Sequence, residues 1–208
     1  MDIDKIFIDN KVWVDEKLGR DPDYFAQLAK GQDPDVLYIG CSDSRVTAED
    51  MMGAQPGDLF VYRNIANVIP NTDLSAMAVI HYAVEYLHVK HIVVCGHYEC
   101  GGVKAAMQPK DLGVLNPWLR NIRDVYRLHH DQLDSITDEA KRYDRLVELN
   151  VQEQCVNVLK TPEVQIGLIN QQITVHGWVL DIRTGRNIDL EINFRKIIDS
   201  LSEIYRLA

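Results

Sequence analysis

The 208-residue chain predicts an α/β fold, a mainly parallel central sheet flanked by helices, with an antiparallel edge strand pair and an N-terminal helical extension. Three observations predict it. Short apolar, β-prone runs alternate with stretches of helical periodicity, which argues for a mainly parallel sheet. Two of those runs end in turns rich in Cys, His, Asp and Arg, where open α/β sheets place their ligands. A Thr184-Gly185 turn between the last two runs suits a hairpin that adds the antiparallel edge pair.

Helical segments open the chain, with Ile3, Ile6, Trp13 and Leu18 forming an imperfect apolar stripe, and Asp21-Pro22 reads as the start of a second helix. Strands and helices then alternate. Strand Val36 to Ile39 precedes a short helix from about Thr47. Strand Leu59 to Arg63 precedes a long helix from about Asp73, and strand Ile92 to Gly96 follows. In the long helix Ala76, Val79, Ile80, Ala83, Val84 and Leu87 fall on one face, and Thr72-Asp73 offers its N-cap. Helices near Pro117 to His130 and Asp138 to Lys160 come next. Strands Ile173 to Asp181 and Ile188 to Asn193 follow, then a helix from about Phe194.

Composition narrows the classes. The length suits a single α/β domain with a substantial core. With 31 acidic against 22 basic residues the net charge is −9, which argues against nucleic acid or an anionic membrane surface as partner. No apolar stretch approaches the ~20 residues of a membrane span, and residues 1–5 lack the pattern of a secretory signal. A cytoplasmic location is the default expectation, and reducing conditions would keep thiolates available to a metal.

The two turns are Cys41-Ser42-Asp43-Ser44-Arg45 and His97-Tyr98-Glu99-Cys100 followed by Gly101-Gly102. Zinc prefers thiolate and imidazole in tetrahedral geometry, and a catalytic site leaves one of four positions open. Cys41, His97 and Cys100 supply three ligands and no fourth Cys or His is evident, a count that favours chemistry over scaffolding. Asp43 is placed either to accept a hydrogen bond from the metal-bound oxygen or to close the open position itself. Arg45 reads as the latch against closure, because a guanidinium holds a carboxylate through two parallel hydrogen bonds. Cys95 and Cys155 read as core, and His129-His130 as an exposed helix end.

Those motifs, together with Arg63-Asn64-Ile65-Ala66-Asn67 and the stretch through His176-Gly177-Trp178, closely resemble the β-class carbonic anhydrases. The resemblance implies a zinc enzyme in which metal-bound hydroxide attacks CO2, with one Zn2+ per chain on Cys41, His97 and Cys100, and Asp43 and Arg45 as the catalytic dyad. It implies a substrate pocket of Gln32, Phe60, Ile65, Tyr82 and the Gly101 amide, with Gln32 reaching across a dimer interface. Without the resemblance, Phe60 and Ile65 read as core and Tyr82 as a helix-face residue. It also implies a homodimer or homotetramer gripped by an N-terminal arm over residues 1–31, with residues 32–208 as the zinc-binding core.

One departure stands out. Some bacterial relatives hold an inhibitory bicarbonate with a Trp, an Arg and a Tyr; here those positions are Tyr38, Arg63 and Leu180. Leucine cannot donate a hydrogen bond, so that control is not expected to operate in the same way. Two rival readings are hydrolysis of CS2 or COS on the same scaffold, and a catalytically silent zinc-stabilised scaffold protein.

Overall fold

The computed structural model describes residues 2–204, which form two compact units divided between Asp33 and Pro34. The first unit holds α1 (Ile3–Arg20) and α2 (Tyr24–Leu28). Asp2 caps α1 by accepting from the Asp4 amide. Of the apolar stripe of α1, Ile3 is 69% exposed and Ile6, Trp13 and Leu18 only about 40%, while Phe7 and Ile8 outside it are 78% and 63% exposed. Trp13 instead packs edge-on against Phe25 of α2. The second helix starts at Tyr24 rather than at Pro22, after a turn in which Asp21 accepts from the Asp23 amide.

The second unit is built on a five-stranded sheet: β1 (Val36–Cys41), β2 (Leu59–Asn64), β3 (His91–His97), β4 (Thr174–Asp181) and β5 (Arg186–Asp189), in the order β2-β1-β3-β4-β5. The first four are parallel and β5 pairs antiparallel with β4. Alternation along each strand sends Leu37, Ile39, Ile92, Val94, Val175 and Val179 into the main core. Tyr38, Val93, Cys95 and Leu180 pack in a smaller cluster on the other face. The edge pair is as expected, but β5 begins two residues and ends four residues earlier than the hydropathy suggests. The chain leaves the ladder at Leu190, whose amide bonds to the Gly177 carbonyl, and Glu191 takes a left-handed φ of 50°.

Between the strands lie α3 (Ala48–Met52), the short 3-10 turn Ile65–Asn67, α4 (Leu74–Glu85), α5 (Gly101–Ala106), α6 (Leu115–Leu128), α7 (His130–Asp134), α8 (Glu139–Leu159) and α9 (Pro162–Ile169); α10 (Phe194–Ser202) follows the sheet. Asp73 caps α4 through the Ser75 amide, and Ala76, Ile80 and Ala83 are its buried face. The long α8 packs on β3 and β4 and buries nine residues, two of them polar: Asn150 and Gln154. Helices α5 and α9 were not evident in the sequence: two glycines open the first, and Pro162 begins the second just after α8 ends. Cys95 and Cys155 are core thiols as expected; burial pushes Cys95 up to about 12. His129 departs from expectation: it is partly buried, with Nε2 2.9 Å from Glu153 Oε1 of α8.

Candidate zinc centre

Strands β1 and β3 are neighbours in register, so the residues at their carboxyl ends arrive together. Cys41 ends β1, His97 ends β3, and Cys100 is the N-cap position of α5. Their ligand atoms all lie within 4.8 Å of one another, and all three residues are buried. The tight turn from His97 to Cys100 depends on Glu99, which adopts φ 59°. A non-glycine residue there costs about 1–2 kcal/mol. Arg45 Nη2 donates to the Glu99 carbonyl at 3.1 Å and so helps hold that turn.

The donor set fits zinc on three counts. Two sulfurs bound at ~2.3 Å to one tetrahedral ion lie ~3.8 Å apart, and Cys41 Sγ to Cys100 Sγ is 3.9 Å. His97 Nδ1 is 2.8 Å from the Tyr98 carbonyl, which fixes the proton on that nitrogen and leaves a lone pair on Nε2. That Nε2 is buried and has no hydrogen-bond partner. Buried polar atoms are rarely left unpaired without a reason, and an ion is one such reason.

The electrostatics already favour a thiolate. Cys41 is held well below the ordinary thiol range, first by the hydrogen bond from Cys100 and then, against burial, by His97 and the Ala66 amide. The Ala66 N–H reaches Cys41 Sγ at 3.4 Å. Cys100 is pushed up by the same contact, since losing its proton would set two negative charges 3.9 Å apart, and burial adds to the shift. A dication between the sulfurs removes that penalty.

Asp43 and Arg45 are latched together. Arg45 Nε donates to Asp43 Oδ1 at 2.9 Å, Nη2 to Oδ2 at 2.8 Å, and the Arg45 amide to Oδ1 at 3.0 Å. These bonds, the side-chain one foremost, hold the Asp43 carboxyl far below the usual carboxylate range. Asp43 Oδ2 still lies 3.8 Å from His97 Nε2, within reach of a group bound between the ligands.

Several supporting contacts escaped the sequence reading. Arg63 donates from Nε to the Cys41 carbonyl at 2.9 Å and from Nη2 to the Asp43 carbonyl at 2.7 Å, so it shapes the Cys41–Asp43 loop. Tyr143 Oη donates to the Cys100 carbonyl at 2.8 Å. Asn150 Nδ2 donates to the Ala66 carbonyl at 3.0 Å, and Gln154 Nε2 to Asn150 Oδ1 at 3.2 Å. Ala66 is held at φ 63°, and Asn150 braces the peptide segment that points an amide at Cys41. The available signal was two amides, four residues apart, on the apolar face of α8.

The expected pocket residues are only partly assembled. Ile65 adjoins the zinc turn: a Cβ on Gly102 would come within 2.8 Å of Ile65 Cγ2, so only glycine admits this approach. It is 40% exposed, not core. Gly101 faces open space. Phe60 meets Tyr82 with ring centroids 5.8 Å apart, Tyr82 stacks on Tyr86, and no ring contact joins either to His97. Gln32 belongs to the first compact unit. Tyr38 is fully buried, its hydroxyl directed at Met51 Sδ, and Leu180 is buried beside it.

Comparison with known proteins agrees with this geometry. The family model for carbonic anhydrase matches residues 36–187. A carbonic anhydrase of Emericella nidulans is 58% identical over 206 residues, covering 99% of this chain and 90% of the relative. A tetrameric β-carbonic anhydrase of Sordaria macrospora superposes with a TM-score of 0.86 at 41% identity, covering 90% of this chain and 95% of that one. The β-carbonic anhydrase CafA of Aspergillus fumigatus gives 0.90 at 38% identity, with 97% of each chain covered. A mainly parallel sheet that brings Cys41 and His97 to its carboxyl end beside Cys100 defines an α/β protein with a candidate metal site. The chain belongs to the carbonic anhydrase family, in its β class.

Proposed function

We propose that this chain hydrates CO2 reversibly to bicarbonate and a proton, with one Zn2+ per chain held by Cys41, His97 and Cys100. The observation that carries this reading is the buried triangle of ligand atoms with an orphaned imidazole nitrogen, beside an Asp43 turned into a bidentate pair with Arg45. Zinc bound here would supply an acidified water, and so a nucleophile, near neutral pH.

The chain's own residues do the rest. Cys41 and Cys100 would bind the dication as thiolates, balancing its charge, while the Ala66 amide stabilises the Cys41 sulfur. Asp43 remains ionised at neutral pH and serves only as an acceptor, so it orients the O–H of the nucleophile and its lone pair towards CO2. Arg45, bidentate on Asp43, would keep that carboxylate from binding the metal. Ile65 provides an apolar wall beside the zinc turn, suited to a small uncharged substrate, and the Gly101 amide donates to a bicarbonate oxygen. Gln32 reaches the substrate of a second copy in a homodimer or homotetramer, while Phe60 and Tyr82, which meet with ring centroids 5.8 Å apart, are further apolar positions of the pocket. The Sordaria relative, tetrameric by its description, supports an oligomer. Among the described residues no helix is long and apolar enough to cross a membrane. Four free, buried cysteines suit a reducing cytoplasm.

Stopped-flow CO2 hydration on protein of known zinc content, from about pH 6.5 to about 9, tests the reading. Turnover that rises with pH at one zinc per chain is expected. Absence of turnover at full zinc loading would overturn it and turn attention to CS2 and COS.

A further inference from the structure

A second pair of metal-competent side chains lies at the opposite end of the sheet. His91 begins β3 and is paired in register with Thr174, the first residue of β4; His176 lies two residues further along β4, on the same face. The two rings approach with His91 Nδ1 and His176 Nε2 3.3 Å apart. Two imidazole nitrogens bound at ~2.0–2.1 Å to one tetrahedral ion stand ~3.3–3.4 Å apart. Thr174 Oγ1 sits 2.6 Å from His91 Nδ1 and 3.3 Å from His176 Nε2.

We propose that His91 and His176 form a second binding site for a late first-row divalent transition metal, separate from Cys41, His97 and Cys100. The strand β3 spans six residue steps of ~3.3 Å, which places the pair ~20 Å from His97. His91 is exposed, so the site is open to solvent exchange. Burial, and then the charge of His91, lowers His176 from its ordinary range, and the neutral ring is the ligating form. Asp189 adds a favourable negative charge near His176. The Thr174 hydroxyl is free to turn to the Lys90 carbonyl, 3.4 Å away, and so release both nitrogens. With two imidazoles and water in the remaining positions, the site favours Ni2+, Cu2+ or Zn2+ over Mg2+ or Ca2+. Two protein ligands make it an exchangeable site, unlike the buried three-ligand centre.

The test is equilibrium dialysis of the zinc-loaded protein against micromolar Ni2+, counting nickel and zinc separately by elemental analysis. One zinc and one additional nickel per chain are expected. His91→Gln and His176→Gln should each weaken nickel binding at least about tenfold while keeping zinc. Trp178, whose ring lies 5.7 Å from that of His176, supplies an independent signal: saturable quenching by Ni2+ that the same variants remove. His91 is exposed at a strand end, so His91→Gln does not threaten the fold. No retained nickel, nickel bound equally by parent and variants, or nickel replacing zinc one for one would each overturn the proposal, leaving a hydrogen-bonded His–Thr cluster.

Discussion

Strand β3 begins and ends with histidine, and the two are held in opposite ways. His97 is 1% exposed, its Nδ1 is tied to a backbone carbonyl and its Nε2 is orphaned between two cysteines. His91 is exposed, and its Nδ1 meets a hydroxyl and a second imidazole. Similar ring chemistry therefore yields two kinds of site. At the carboxyl end, burial and fixed tautomer leave an unpaired nitrogen that is costly without a partner. At the amino end, water and Thr174 satisfy the rings when nothing is bound. The first arrangement suits a resident metal and the second an exchanging one.

The contrast can be broken most sharply at the carboxyl end. Cys100→Ser should lose nearly all zinc and turnover, because a hydroxyl does not replace a thiolate in this set; metal analysis and CO2 hydration check it together, and retained zinc with normal turnover would refute the ligand assignment. Arg45→Ala should keep zinc but lose most activity, as Asp43 is freed to occupy the fourth position. A variant as fast as the parent would remove the latch. Arg45 is 53% exposed, so the pair acts by geometry more than by stability. Because the Asp43 carboxyl is depressed in the fold, the pair's stabilisation is fully present above the ordinary ~3.9 and is lost only as pH falls towards the folded value. Mutation, and not a neutral pH change, is the way to open it.

Smaller effects sharpen the comparison. Asn150→Leu removes the brace on Ala66 and leaves its carbonyl buried, costing about 1–3 kcal/mol and weakening zinc about 10–100-fold. Competition with a chelator measures the second effect, and unchanged zinc affinity would deny Asn150 any role at the centre. The smallest expected signal is at the amino end. His176 has a lowered folded pKa, so the unfolded chain binds more protons, and stability falls as pH drops through about 6.5 towards the folded value. His176→Gln should flatten that slope in denaturant titrations, and an unchanged slope would show that other groups cause it.

The alternating strands and helices were legible because each carries its own periodicity: Ala76, Ile80 and Ala83 had to face inward on any helix that contains them. Cys41, His97, Cys100, Asp43 and Arg45 were legible because each cluster is local and its residue types suit few other tasks. Helix α5 was hidden because Gly101-Gly102 speaks against a helix when taken alone. Its reason, the close approach of Ile65, is a contact across 37 residues. The bracing by Tyr143 and Asn150 was hidden for the same cause, since each reaches a backbone group more than 40 residues away. The amino-end histidines lie 85 positions apart, and only strand register brings them to 3.3 Å. Short-range pattern and residue chemistry thus determined the elements and the candidate ligands. The tertiary structure alone decided which distant side chains hold those ligands in place, because packing and register arise only when the chain folds back on itself.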